Sequence, residues 1–142
     1  CPVGSILICK EKYFQKALKI RKIFGGGMRQ SGYLAACGIY ALDNNIKGLS
    51  HDHSRAKEIS NLLNKSYFVE EVYPVETNII IFKNKDQFST EDFISFMDHN
   101  GVKLIGMGDN KLRLVTHADY TADHHEKFMN LLSKINAGNL LK

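Results

Sequence analysis

Apolar positions along this chain keep a helical period as far as residue 64 and give way to short β-branched runs from residue 78. The opening is the exception. Val3-Gly4-Ser5-Ile6-Leu7-Ile8 is nearly all apolar, and residues 3–9 read as a short buried strand. Residues 11–24 read as a helix. Tyr13, Ala17, Ile20 and Phe24 form its stripe, with Phe14 and Leu18 beside it and Lys12, Lys16 and Lys19 on the other side. Gly25-Gly26-Gly27 stops it. Residues 31–43 predict a second helix of another kind, because Gly32 through Leu42 contains no charge at all. A helix that is apolar all round belongs in an interior. An additional domain or a partner subunit would cover it more easily than the rest of these residues. Asp43-Asn44-Asn45 is a natural exit.

Residues 47–64 predict an amphipathic helix with Leu49, Ala56, Ile59, Leu62 and Leu63 as its apolar set. Asn78 to Phe82 predicts a strand. Ser89-Thr90-Glu91-Asp92 predicts a capped helix start, since a hydroxyl and first-turn acids satisfy the free N–H groups there. That helix ends near Asn100-Gly101. Val102 to Ile105 and Leu112 to His117 read as two strands joined by Gly106 to Asn110, and Thr121 caps a last helix to about Ile135. The order from residue 78 is β-α-β-β-α. It implies an α/β chain of the α+β kind, with a small antiparallel sheet covered by helices on one face.

Composition narrows the class. The chain has 142 residues, 44% hydrophobic and 24% charged, which suits a globular domain with a real core. No apolar run reaches the ~18 residues of a membrane-spanning helix, and no signal-peptide pattern opens the chain. The net charge of +4 comes with only four arginines and scattered lysines, without interleaved aromatics. It reads as solvated helix faces, not as a nucleic-acid surface. Cys1, Cys9 and Cys37 are an odd number with no C-x-x-C pair. They argue for a reducing, cytoplasmic compartment, with Cys9 and Cys37 as buried, inert thiols. The chain starts at Cys1 rather than methionine and enters what reads as the middle of a strand, so upstream sequence is expected.

Three stretches invite chemistry. Gly25-Gly26-Gly27-Met28-Arg29-Gln30 is either a helix stop with a turn or an anion site, with Arg29 as the cation. It is neither a P-loop nor a dinucleotide fingerprint. In Leu112-Arg113-Leu114-Val115-Thr116, alternation puts Arg113 and Val115 on one face and Leu112, Leu114 and Thr116 on the other. Arg113 then either stands in water or clamps a carboxylate through its planar fork. His51-Asp52-His53 and His124-His125 lack the i,i+4 spacing of a helical zinc site, so no metal is expected.

Taken together, these segments resemble the low-specificity L-threonine aldolases over nearly the whole chain. The resemblance runs through Pro2-Val3-Gly4-Ser5, Arg21-Lys22, Gly25 to Gln30, Leu34-Ala35-Ala36 with Gly38, Asp52-His53, Pro74 to Asn78, and Arg113-Leu114-Val115-Thr116-His117. It implies fold type I of the pyridoxal-phosphate enzymes, with residues 1–45 a remnant of the large cofactor-binding domain and 46–142 the small C-terminal domain. It implies a carbon–carbon lyase that splits L-threonine or L-allo-threonine into glycine and acetaldehyde and works as a homodimer or homotetramer. By the same resemblance Arg113 binds the substrate α-carboxylate, and Arg29 and Lys22 reach the cofactor phosphate. The family's Schiff-base lysine falls upstream of Pro2, so no covalent catalytic residue is expected in this chain and the 142 residues alone are expected to be inactive. Two alternatives remain open: a non-catalytic α/β module for an anion or a protein partner, and another fold-type-I lyase.

Overall fold

The computed structural model describes residues 3 and 5–138, which form two compact units, Cys1–Lys47 and Gly48–Lys142. The first unit is helical. A single 3-10 turn, Glu11–Tyr13, leads into α1 (Phe14–Ile23). The helix ends where Gly25 takes φ +82°, a conformation open to glycine at no steric cost. After the glycine loop, α2 (Gly32–Asn44) runs the length expected for it. No residue of α1 or α2 is buried, and Tyr33, Ile39 and Tyr40 are largely exposed. The apolar surface of α2 is therefore present but not in an interior.

Two expectations fail in this unit. Residues 5–9 adopt no regular secondary structure and are exposed, and Val3 lies in a bend, 54% exposed. A buried strand needs a paired neighbour for its N–H and C=O groups, and no strand among the described residues pairs with this one. Gly4 lies outside the described residues. Cys9 and Cys37 are likewise free and exposed, not buried. Cys9 lies outside any element, and Cys37 shares the exposure of α2.

The second unit has the core. Helix α3 (Leu49–Leu63) leads to β1 (Val69–Val72) and β2 (Ile79–Asn84), then α4 (Thr90–His99), β3 (Ile105–Gly108), β4 (Lys111–Val115) and α5 (Ala122–Gly138). The sheet is antiparallel throughout, in the order β1-β2-β4-β3. Its inner face carries Ile80, Phe82, Leu112 and Leu114. Against them pack Ala56, Ile59 and Leu63 of α3, Phe93 and Met97 of α4, and Phe128, Leu132 and Ile135 of α5. The aromatic rings interlock, Phe68 and Phe82 lying 5.2 and 6.1 Å from Phe93. Helices on one face of a small antiparallel sheet is the architecture the chain's order implied.

Local signals explain most boundaries. Ser89 Oγ accepts from the Asp92 N–H (3.2 Å) and opens α4. Thr121 Oγ1 accepts from the His124 N–H (3.3 Å) and opens α5. Gly101, at φ +77°, closes α4. The β3–β4 hairpin is tighter than expected. Gly108 pairs with Lys111, and only Asp109 and Asn110, at φ +51° and +55°, form the turn. Positive φ at both central residues matches the strand twist, and Asp and Asn tolerate it. Strand β3 therefore begins at Ile105, not Val102. Phe82 is fully buried at the centre of this arrangement. Phe82→Ala is expected to cost roughly 3–5 kcal/mol, whereas Lys83→Ala, on the opposite sheet face, costs under about 1 kcal/mol. Urea unfolding followed by circular dichroism measures both.

Candidate functional site

The alternation of β4 decides where its arginine goes. Leu112 and Leu114 are buried on the inner face, so Arg113 projects from the outer one. Its cross-strand neighbours are Ile81 on β2 and Ile105 on β3. Ile79 and Val115, paired across β2 and β4, lie on the same face. The guanidinium thus rises from an aliphatic surface. It is partly buried, its Nε is buried without a hydrogen-bond partner, and it has no ion pair among the described residues. The side chain does not stand freely in water, and among the described residues no carboxylate meets it.

The carboxyl end of β4 is pinned by residues distant in sequence. Thr116 is buried, and its Oγ1 donates to the backbone carbonyl of Asp52 on α3 (2.8 Å). The Thr116 N–H donates to Asn78 O (3.0 Å), and Asn78 Nδ2 returns a bond to Thr116 O (2.7 Å). Asp52-His53, Asn78 and Thr116-His117 were separate points of the resemblance, and here Asp52, Asn78 and Thr116 meet in one joint. Sequence pattern alone gave Thr116 its inner face but not this role, because the partners are 38 and 64 residues away.

Lys22 and Arg29 belong to the first unit, and Arg113 to the second. Lys22 sits at the end of α1, and Arg29 in the loop before α2. Both are exposed and without an ion pair among the described residues. The glycines between them have a structural reason. A Cβ on Gly26 would lie 2.7 Å from Arg21 Cγ and 3.0 Å from Arg21 O, so the loop folds back onto the helix end. The Gly26 N–H donates to Arg21 O (2.8 Å). A Cβ on Gly27 would touch the stem of Lys22 at 3.5 Å, which shows that stem running beside the loop. Gln30, at φ +51°, turns the chain into α2.

The histidines divide between different tasks. Asp52 is buried beside the joint, and no group of three metal-capable side chains occurs among the described residues. His125, on α5, lies 3.0 Å through Nε2 from Glu58 Oε2 on α3 and 3.2 Å through Nδ1 from the Tyr120 hydroxyl. Arg55 donates through Nη1 to the Tyr120 carbonyl. Burial pushes the Tyr120 hydroxyl up to about 12, and the hydrogen bond from His125 holds the Glu58 carboxyl below its ordinary range. These contacts tie α3 to α5. Pattern reading missed them because their spacing resembles no motif.

The order of glycine loop, uncharged helix and small antiparallel domain defines a class, and comparison with known proteins names it. Residues 1–87 match the model of the beta-eliminating lyase family, and the chain belongs to that family, which is of the fold-type-I pyridoxal-phosphate class. It is 36% identical over 123 residues to low-specificity L-threonine aldolase 1 of Arabidopsis thaliana, covering 84% of this chain and 34% of that protein. Against the low specificity L-threonine aldolase of Escherichia coli K12 the identity is 34%, over 86% of this chain and 35% of the relative. Against the probable low-specificity L-threonine aldolase of Schizosaccharomyces pombe it is 32%, over 94% and 33%. The chain spans about a third of the length of these relatives. Among the described residues no helix is long and apolar enough to cross a membrane.

The Glu58 contact sets a pH dependence. Its folded-state value lies below the ordinary 4.5, so its contribution is complete above 4.5 and is lost as pH falls through the lowered value. Glu58 is more than half exposed, and solvent screening keeps the effect small. Glu58→Gln is expected to be less stable than the wild type at neutral pH. The gap closes on acidification beneath the lowered value, as followed by urea midpoints across a pH series.

Proposed function

We propose that this chain is the C-terminal portion of a pyridoxal-phosphate-dependent threonine aldolase, a lyase that cleaves L-threonine or L-allo-threonine to glycine and acetaldehyde. On this reading residues 1–45 belong to the large domain and 46–142 form the small one. The observation that carries it is Arg113. An arginine fork without an ion pair among the described residues, on an aliphatic sheet face, is suited to take up a carboxylate from outside the chain. The names of the relatives supply the chemistry. The free thiols Cys9 and Cys37 fit a reducing compartment. The uncharged surface of α2, with Tyr33, Ile39 and Tyr40 exposed, fits a helix that packs against the remainder of a complete enzyme, in a homodimer or homotetramer.

The residues present fit the phosphate end of pyridoxal phosphate. Lys22 and Arg29 are two cations without an ion pair among the described residues, at either end of a glycine loop, and a phosphate dianion would balance both. The cofactor, when bound, supplies the electron sink for the pair released as the Cα–Cβ bond breaks. Arg113 does the orienting. A two-point contact fixes the carboxylate plane and with it the rotation about Cα, which selects the bond that breaks. Strand β4 holds that fork more rigidly than a loop would. The 142 residues contain these contacts but no lysine assigned to the covalent step, so on this reading they do not turn over substrate by themselves.

One observation favours a second reading. The matching family model carries the name of beta-eliminating lyases, and a β-eliminating enzyme also needs an α-carboxylate clamp. Product analysis separates the two: acetaldehyde and glycine from L-allo-threonine, against ammonia and a keto acid. In the complete enzyme, Arg113→Lys keeps the charge and loses the fork. It is expected to lower kcat/KM for L-allo-threonine at least ~10-fold, about 1.4 kcal/mol, and Arg113→Ala more. Wild-type rates in an Arg113→Ala enzyme that folds and binds pyridoxal phosphate normally would remove the clamp from this position.

A further inference from the structure

We propose that the cleft between α4 and α5 binds a small amphipathic carboxylate, a monoacid with an apolar tail. Arg113 does not line the site, and the proposal does not rest on the aldolase reading. Both helices cover the inner face, but they leave between them a half-open cleft of about 830 Å³. That volume lies in the range of small-molecule sites.

Its lining is divided by chemistry. The floor is apolar, built from Ile59, Leu114 and Phe128 of the core with Phe96 and Leu131 on the walls. The rim carries Lys103, Lys127 and Lys134 together with His117 and His124, and among the described residues no aspartate or glutamate lines the cleft. Lys103 pairs with Asp98 and Lys127 with Asp123, both carboxylates lying outside the lining. Lys134 has no ion pair among the described residues. One ammonium is therefore uncommitted at the mouth of an apolar trough, and two more stand on the same rim.

This arrangement discriminates between anions. Inorganic phosphate needs hydrogen-bond donors around most of its surface, and an apolar floor offers none. A neutral alkyl chain would gain from the floor but leave the lysines uncompensated. A carboxylate with an apolar tail satisfies both halves: the tail removes the floor from water, and the head meets Lys134 at the rim, where lysine acts as a point charge.

Decanoate is the probe. Titrated calorimetrically into the complete protein, it is expected to bind with one site per chain, while decanol and inorganic phosphate each bind at least ~10-fold more weakly. Lys134→Glu is expected to weaken decanoate at least ~10-fold, and Lys57→Glu, an exposed lysine of α3 outside the cleft, to leave it unchanged. Both are surface substitutions, and circular dichroism verifies their folding. A photoreactive decanoate analogue should label residues 96–103 or 124–134. The proposal is overturned by the absence of saturable decanoate binding, by equal affinities in Lys134→Glu and wild type, or by labelling confined to the exposed apolar helix at 32–44. Saturable binding of an acidic amphipathic peptide without any of decanoate would also overturn it and make the cleft a peptide groove.

Discussion

The second unit depends on the register between β2 and β4. Five consecutive pairs, from Ile79 opposite Val115 to Lys83 opposite Lys111, put Phe82 beside Leu112 in the core and Ile81 beside Arg113 outside it. A slip of β4 by one residue would turn Arg113 toward Phe82 and Phe93 and expose Leu112 and Leu114. The first consequence is a charge without a partner in an aromatic interior, and the second is lost apolar burial, so each alone opposes the slip. Both ends of the register are also locked by polar contacts. At one end Thr116 is bonded to Asn78 and to Asp52. At the other, Asn110 receives Thr90 Oγ1 on its Oδ1 and donates through Nδ2 to Asp86 Oδ1, while its carbonyl accepts the Asn84 N–H. The outward position of Arg113 thus follows from what the inner face demands.

The parts of this fold that could be read from sequence share one property: their determinants are local. Ser89 and Thr121 announce helix starts, Gly25 and Gly101 announce stops, and the alternation in Leu112-Arg113-Leu114 assigns faces without reference to any other strand. The parts that escaped were set from a distance. Strand β1 pairs with β2 only through a register shift between Val69 and Glu71, and Val-Glu-Glu-Val has no clean alternation to betray it. Residues 5–9 have the composition of a strand, but composition cannot provide the paired neighbour. The β3–β4 turn was read too long because Gly106 and Gly108 look like turn residues. Gly106 is instead a point of close packing, where a Cβ would meet Ile94 Cδ1 at 3.3 Å, and Gly108 sits at a bulge. The thiols were misjudged for a related reason. An apolar neighbourhood in sequence is not burial, and α2 carries its apolar residues in the open.

The two units consequently relate to their sequences in different ways. In Gly48–Lys142, apolar periodicity and burial agree except at Leu49, which is exposed: Ala56, Ile59 and Leu63 of α3 and Phe128, Leu132 and Ile135 of α5 are both periodic and buried. In Cys1–Lys47 the periodicity exists and the burial does not. Agreement between pattern and burial is the condition for a stable fold. It fails in α2, whose apolar residues are not buried.

That distinction bears on how a clamp on Arg113 would work. Nε is the buried nitrogen of its guanidinium, withdrawn beside the aliphatic surface and bonded to nothing. An approaching carboxylate cannot reach it and must meet the terminal nitrogens, end-on. In that geometry the carboxylate shares the plane of the guanidinium, whose stem rises from β4 opposite Ile81 and Ile105. The strand register, the isoleucine flanks and the inaccessible Nε then act on one variable, the angle at which an amino acid is presented. On the proposed reading, that angle determines whether the Cα–Cβ or the Cα–H bond is set to break.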